Sequence, residues 1–525
     1  MGELMLSHSR ILAAATSGYG ARVAVGSAEA GPVTYAELAA RSRAVAAGLL
    51  GMGLQPKDRV VWLSHNRVEY LYTYFGTALA GLALAPINYW LRPVEIRGLL
   101  ELLEPKVAFV ERELLESFTQ AADGLAMRIV TVDGPAPEVE STSWDAFLDG
   151  ATGGFWAEPS DDLLHEIVFT SGTTGQSKGV MRSQRKRIID SLAAATTFRL
   201  HRDDHLLGSG PQFHIGGGAV PGQLLVQGGR VTIMRRFEPD HIAATIGTGV
   251  TYFMGVPAHF NLLFASGELD RIDTRGVRGV YLGGSVATLG LFERIREAFP
   301  NAEISHGYGS TESGPHSIGV RGEVFLQRPG TIGLPVPGTE VRVEVDGRPA
   351  APEEVGELVL RAPTTMDGYY GRPELTATVL DADGWYRTGD LVRRDDDGYF
   401  YVADRKKDMI ISGGENVYSR EVEDVLSLHP AVDEVAVIGT KDPIYEECVT
   451  AVVRLRADAP PADFEVLRAF VRERLAGYKA PRRVEFVDEM PRNPVGKIDK
   501  LQLRERFGSA FAAADAPTRT EQGAR

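Results

Sequence analysis

Thr170-Ser171-Gly172-Thr173-Thr174-Gly175-Gln176-Ser177-Lys178-Gly179 gathers five hydroxyl side chains, three glycines and a lysine behind the apolar run Ile167-Val168-Phe169. The apolar run reads as a strand and the polar stretch as the turn that leaves it. Glycines let backbone N–H groups approach an anion, hydroxyls add donors, and a lysine adds fixed charge, so the composition suits a polyphosphate. It is not a Walker A loop, because Ser177 stands where that pattern needs its second glycine. A nucleotide would be held here by a different device.

Upstream of the loop the chain alternates strands and helices. Thr34-Tyr35-Ala36-Glu37 reads as a capping box opening a helix that ends near Gly51 and Gly53. Strands are expected at Arg59–Leu63, Leu84–Ile87 and Val107–Val110, with helices through about Ala80 and over Pro93–Leu103. The same rhythm runs from Asp204 to about Asn301 and implies parallel sheets flanked by helices. From Thr331 the texture changes: Glu340–Asp346 alternates apolar and charged residues, and Val355–Leu360 and Gly398–Val402 follow suit, which implies antiparallel β structure. Helices at Glu421–Leu428 and Phe464–Leu475, with strands at Val435–Ile438, Val449–Val453 and Val484–Val487, make a compact α+β unit of domain size. The tail from about Gly508 is polar and aperiodic, and reads as disordered.

Composition narrows the function classes. The chain has 525 residues, 44% hydrophobic and 24% charged, which is ordinary for a globular enzyme with a large core. A net charge of −14 argues against sequence-independent nucleic-acid binding. The basic runs Arg185–Arg187 and Arg405–Lys407 have an ordinary reading as solvated helix faces or loops, with another reading left open, evenly so for the first. The single cysteine, Cys448, excludes an internal disulfide and has no nucleophile signature around it. No apolar stretch is long enough to span a membrane, and a cytoplasmic location is expected.

Five further motifs follow the loop. His306-Gly307-Tyr308-Gly309-Ser310-Thr311-Glu312 offers glycines for close approach of a flat ligand, Tyr308 to cover a base, and Glu312 as an oxygen ligand for Mg²⁺. Tyr386-Arg387-Thr388-Gly389-Asp390 reads as a carboxylate after a tight turn, placed to accept from a ribose diol. Asp404–Asp408 reads as a charged hinge, Ser412–Asn416 as a flexible turn, and Asn493–Asp499 as a glycine turn carrying Lys497. Taken singly, each has an ordinary structural reading as a turn, a surface lysine or a packed tyrosine.

In this order the motifs resemble the adenylate-forming superfamily, which comprises acyl-CoA synthetases, adenylation domains of peptide synthetases and beetle luciferases. The resemblance runs from Thr34 to Lys497. It implies an α/β fold: a large N-terminal adenylation domain of parallel sheets with a β-rich subdomain (1–404), a hinge (405–407), a small mobile α+β domain (408–507) and a tail (508–525). It implies that Thr170, Ser171, Gly172, Thr173, Thr174, Gly175 and Lys178, with Gly179, hold the β- and γ-phosphates of ATP. Tyr308 then flanks adenine, Gly283, Gly284 and Ser285 form the opposite wall, and His306, Gly307, Gly309 and Asn416 belong to the nucleotide side. Thr311 sits at the α-phosphate, Glu312 with Thr170 holds Mg²⁺, and Asp390 binds the ribose with Arg405 in support. Lys497 is the mobile catalytic lysine, acting with Thr311 and Glu312. Lys407 marks the hinge, and Gly413 and Gly414 line the coenzyme A tunnel.

The resemblance implies ATP, Mg²⁺ and coenzyme A, a small carboxylic acid as partner, and a homodimer by analogy. Phe213, His214, Gly218, Val256 and Pro257 should line the acyl pocket. His214 cannot supply the fixed negative charge that pairs an α-ammonium, so a fatty or aromatic acid is expected rather than an amino acid. His306 reads as a neutral hydrogen-bond partner for adenine, and His165-Glu166 before the loop has no account from sequence. The leading expectation is an acyl-CoA ligase. The alternatives are a stand-alone acyl-AMP ligase loading a carrier protein, and a silent nucleotide-binding scaffold.

Overall fold

The computed structural model describes residues 6–151, 159–170, 177–284, 289–412, 415–442, 445–456, 459, 462–493 and 497–508. Ser171 through Gly175, Ser285, Gly413, Gly414 and the tail beyond 508 lie outside them. The chain divides into two compact units. The first comprises Met1–Arg342, Val359–Thr388 and Gly398–Phe400, and the second Val343–Leu358, Gly389–Asp397 and Tyr401–Arg525.

The first unit contains a parallel sheet whose successive neighbours are Leu164–Thr170, Ala83–Pro86, Arg59–Leu63, Val107–Val110 and Arg128–Thr131. Lys178–Ser183 extends it antiparallel, and the short strand Gly368–Tyr369 pairs with Lys178–Ser183. A second parallel set runs through Glu303–Ser310, Gly279–Leu282, Tyr252–Gly255, His205–Gly208, Arg230–Ile233 and Val23–Ser27. Both faces of these strands are covered, so they read as continuous apolar runs such as Val60-Val61-Trp62-Leu63, all buried. The helix Val68–Leu79 is buried at every position except Glu69, and Gly76 explains how closely it packs. A Cβ there would lie 2.7 Å from Val45 Cγ1 and 2.9 Å from the Ser42 carbonyl, on the neighbouring helix Tyr35–Gly51.

Local signals set the element ends. Thr34 Oγ1 accepts from the Glu37 N–H (3.3 Å) and the Glu37 carboxylate accepts from the Thr34 N–H (2.8 Å), completing the capping box. The alternating segment forms the strand Glu340–Val345, closed by Asp346 and Gly347, both with positive φ.

The second unit holds a five-stranded sheet in which Glu446–Leu455 lies between Val432–Asp442 and Ile410–Ser412, with Glu415–Val417 outside and Arg483–Phe486 paired parallel to Glu446–Leu455. Helices Ser419–Ser427 and Phe464–Arg472 bury Val422, Leu426, Leu467 and Val471 with Val437, Val449 and Val453 of the sheet. Tyr386-Arg387-Thr388-Gly389-Asp390 does not form a tight turn. It lies within the strand Tyr386–Arg394, where a positive φ at Gly389 (72°) bends the chain without ending the strand. No helix among the described residues is long and apolar enough to cross a membrane.

Candidate active site

The strand Leu164–Thr170 and its antiparallel partner Lys178–Ser183 place Thr170 directly opposite Lys178. Gly179 is required by packing: a Cβ would sit 2.8 Å from Ile167 Cγ2. The Lys178 ammonium lies 5.1 Å from the centre of the Tyr369 ring, and Tyr369 Oη donates to Glu312 Oε1 at 3.0 Å. One phenol therefore contacts the lysine of the Leu164–Ser183 hairpin and the acidic residue of the downstream motif.

The turn carrying Thr311 and Glu312 follows the strand Glu303–Ser310 and is pinned at several points. Arg182 donates from Nε (3.1 Å) and Nη2 (2.8 Å) to the Thr311 carbonyl, and the Met366 N–H donates to the Glu312 carbonyl at 2.7 Å. The Ser310 N–H donates to Ser313 Oγ and the Ser313 N–H to Ser310 Oγ. Gly307 and Gly309 were expected to admit a flat ligand, but the protein itself crowds them. A Cβ at Gly309 would lie 2.3 Å from the Gly314 carbonyl, and one at Gly307 would lie 2.9 Å from Tyr281 Oη. The same tyrosine ring lies 2.6 Å from the Cβ position of Gly283. His306 is buried with Nδ1 3.2 Å from the Leu282 carbonyl, and Tyr308 is half-buried on the strand.

Behind the hairpin lies a buried ionic group. Arg187 Nε is 2.9 Å from Glu166 Oε2 and Arg187 Nη1 is 3.2 Å from Asp190 Oδ2, with all three side chains at most 3% exposed. This accounts for Glu166 before the loop, though not for His165, and within the basic run at 185–187 it makes Arg187 a core residue, not a solvated one. Burial would lower the Arg187 guanidinium, but Glu166 and Asp190 hold it above its ordinary value. Burial raises the Asp190 carboxyl, against the pull of Arg187 and Arg182. Burial also depresses the surrounding imidazoles, His8 and His316 to about 3 and His165 well below its ordinary value, which leaves them neutral.

Of the expected acyl-pocket residues, Phe213 packs edge-on to Tyr89 (5.2 Å) and Trp90 (5.6 Å). His214 Nδ1 accepts from the Gly216 N–H, and among the described residues a Cβ added at Gly216 would meet only that nitrogen within 4 Å, at 3.5 Å. Gly218 abuts Tyr70, whose Oη would be 3.1 Å from a Cβ there. Val256, followed by Pro257 at the start of a helix, touches the Cβ position of Gly284 at 3.0 Å.

In the second unit Arg405 Nε lies 3.2 Å from Asp390 Oδ1. Lys497 is exposed, yet its ammonium is held below its ordinary value. Desolvation, then the Arg405 guanidinium, pull it down to about 8, and Asp390 opposes them. Asn493 and Lys497 are joined by the Asn493 N–H to the Lys497 carbonyl (2.8 Å) and the Lys497 N–H to Asn493 Oδ1 (3.0 Å). Desolvation likewise lowers the ammonium of the exposed Lys407. Asp404 is buried and accepts from the backbone N–H of Arg405 and of Ser419. Asn416 is exposed on a strand paired to Ile411. Cys448 is buried in the sheet with its thiol raised by burial, as suits a core residue.

Sequence reasoning missed Tyr369, Arg182 and Arg187. The glycines of Gly368-Tyr369-Tyr370-Gly371, not remarked in the sequence, mark a close backbone approach without naming what is approached.

Residues 12–370 match the AMP-binding enzyme family and residues 421–497 match its C-terminal domain. Feruloyl-CoA synthase of an Amycolatopsis species is 35% identical over 484 residues, 91% of this chain and 94% of that protein. The 2-succinylbenzoate–CoA ligase of Geobacillus kaustophilus is 34% identical over 477 residues, 90% and 92% of the two chains. The ATP-bound MatB structure from Rhodopseudomonas palustris has a TM-score of 0.85 at 29% identity and covers 95% and 99% of the two chains. The chain belongs to the AMP-binding enzyme family, the adenylate-forming enzymes. Within it, the protein is an ATP-dependent acid–thiol ligase of the acyl- and aryl-CoA ligase class.

Magnesium, implied by the resemblance, is a hard cation that prefers oxygen donors. Glu312 and Thr170 present half-buried oxygens, and Tyr369 engages only one of the two Glu312 carboxylate oxygens, so the donor set fits.

Proposed function

We propose that the chain activates an aromatic or fatty acid as its acyl adenylate and transfers the acyl group to the thiol of free coenzyme A. The observation that carries the reading is the line of Lys178, Tyr369 and Glu312 at the mouth of the phosphate hairpin. In the first half-reaction a carboxylate oxygen attacks the α-phosphorus of ATP and pyrophosphate leaves. In the second, the thiolate attacks the acyl carbonyl and AMP leaves.

In this reading Thr170 and Lys178 hold the departing pyrophosphate, Thr311 sits at the α-phosphate, and Asp390 with Arg405 holds the ribose. Lys497 would neutralise charge between carboxylate and α-phosphate, and residues 405–407 would be the hinge on which it comes and goes. Magnesium on Glu312 and Thr170 would supply further charge neutralisation on the phosphates. No side-chain nucleophile is needed. The open side of Gly216 and the absence of a fixed charge at His214 support an apolar acid, and the aromatic acids named for the two relatives favour that class.

The test is a panel of hydroxycinnamic, benzoic, arylacetic and straight-chain fatty acids, scored by AMP release with free coenzyme A or with acyl carrier protein. At least one aromatic or fatty acid should give AMP that depends on free coenzyme A. AMP release that needs carrier protein, or none with any acid, would overturn the proposal.

A further inference from the structure

We propose that Tyr369 is a positioning residue for adenylation, holding the Glu312 carboxylate and the Lys178 ammonium in fixed places. The inference rests on reading Glu312 as the carboxylate that faces the metal and phosphates.

The phenol is planted on a rigid base. Tyr369 is 3% exposed, its strand pairs Tyr369 with Val180 and Gly368 with Met181, and its N–H donates to Thr376 Oγ1 at 2.9 Å. The next residue adds an anchor, the Tyr370 N–H donating to the Gly179 carbonyl at 2.7 Å. Gly368 adopts φ of +129°, and a Cβ there would lie 3.0 Å from Thr376 Cγ2, so the approach suits glycine alone. From this base the hydroxyl reaches Glu312 Oε1 at 3.0 Å, while the Met366 N–H holds the Glu312 carbonyl at 2.7 Å. The side chain and the backbone of Glu312 are thus both oriented before substrate arrives.

The choice of a neutral residue matters. A direct Lys178–Glu312 ion pair would neutralise both groups and leave less charge for phosphate and metal. A phenol touches both without neutralising either: its ring face attracts the ammonium and its O–H orients the carboxylate. Partners that orient a metal-side carboxylate commonly cost about 10- to 100-fold in metal affinity or activity when removed.

Tyr369→Phe keeps the ring and removes the hydroxyl, whereas Tyr369→Leu removes both contacts. Carboxylate-dependent pyrophosphate exchange, its Mg²⁺ requirement, and calorimetric binding of ATP with Mg²⁺ in the absence of acid separate the two roles. Tyr369→Phe should lower the exchange kcat about 10-fold, raise the Mg²⁺ concentration for half-maximal rate several-fold, and leave the KM for the acid unchanged. Tyr369→Leu should also weaken ATP binding measured without acid. Wild-type exchange and Mg²⁺ requirement in a folded Tyr369→Phe would overturn the proposal, as would a loss that only follows a lowered Tm. If Tyr369→Leu does not fold, the Phe variant alone decides. If no acid supports exchange by the wild type, the proposed reaction fails, and the Mg²⁺ concentration for half-maximal ATP binding by Tyr369→Phe still tests the role of the phenol: a Mg²⁺ requirement equal to wild type overturns it.

Discussion

The guanidinium of Arg182 donates twice to one acceptor, the carbonyl oxygen of Thr311, from Nε at 3.1 Å and Nη2 at 2.8 Å. Arg182 is fully buried on the outgoing strand of the Leu164–Ser183 hairpin, and Thr311 opens the turn that carries Glu312. The pair ties together two segments 129 residues apart in sequence. Burial lowers the guanidinium below its ordinary value, with Asp190 opposing, but the group stays charged.

Arg182→Lys keeps the charge and loses the forked geometry. Pyrophosphate exchange by this variant should fall about 10-fold in kcat, on the order of one hydrogen bond to a charged group, with a smaller change in the KM for the acid. Arg182→Met should lose more activity and also stability, because Glu166 and Asp190 then outnumber Arg187 in the buried group. A folded Arg182→Lys enzyme with wild-type exchange would sink the link between hairpin and turn.

Arg187 is a matter of stability. With Glu166 and Asp190 both buried around it, Arg187→Met leaves two carboxylates with a reduced counter-charge. The expected cost is about 3–5 kcal/mol, the scale for breaking a buried pair from one side. Arg187→Met combined with Glu166→Gln should cost less than the sum of the two single changes, because the double variant removes a charge of each sign. Denaturant midpoints of the four proteins give the coupling, and strict additivity would show that the pair is energetically idle.

The neutral buried histidines make a separate prediction about acid. His8 and His316 are held at about 3, and His205 and His259 at about 4, in every case first by burial. The unfolded chain, with ordinary imidazoles near 6.5, then binds more protons than the folded one once the pH drops below about 6.5. Their contribution is therefore present above that value and lost as the pH falls toward 4. Tm should decline between pH 6.5 and 5, ahead of carboxylate titration. A flat Tm over that window would contradict the assignment of neutral, protected imidazoles.

The contrast between what was and was not legible in the sequence has a physical basis. The capping box at Thr34, the strand Arg59–Leu63 and the helix Pro93–Leu103 were readable because their signals are local. Lys178, Glu312, Asp390, Arg405 and Lys497 stood out because charge among glycines is conspicuous. Their supports did not. Tyr369 meets Glu312 across 57 residues, and Arg187 meets Glu166 on a neighbouring strand, so nothing in either neighbourhood named the partner. Gly307 and Gly309 read as glycines that admit a flat ligand, whereas the atoms nearest their Cβ positions belong to the protein. The approaching atoms belong to Tyr281 and Gly314, which are remote or masked by the turn between.

Lys497 yields the last prediction. Lys497→Ala should abolish carboxylate-dependent pyrophosphate exchange while sparing thioester formation from a supplied acyl adenylate, because only the first step asks for a cation between carboxylate and phosphate. The same logic sets a pH limit. The ammonium is held at about 8 by desolvation and by Arg405, against Asp390. It is charged below that value and neutral above it, so kcat/KM for ATP in the exchange reaction should fall as the pH rises through about 8. An ordinary lysine would hold its charge to about 10. Arg405→Gln, which removes the repelling charge, should move that alkaline limb upward even as it weakens nucleotide binding. A rate that stays level to pH 10 in the wild type, or a limb unmoved in Arg405→Gln, would show that the titrating group is not this lysine.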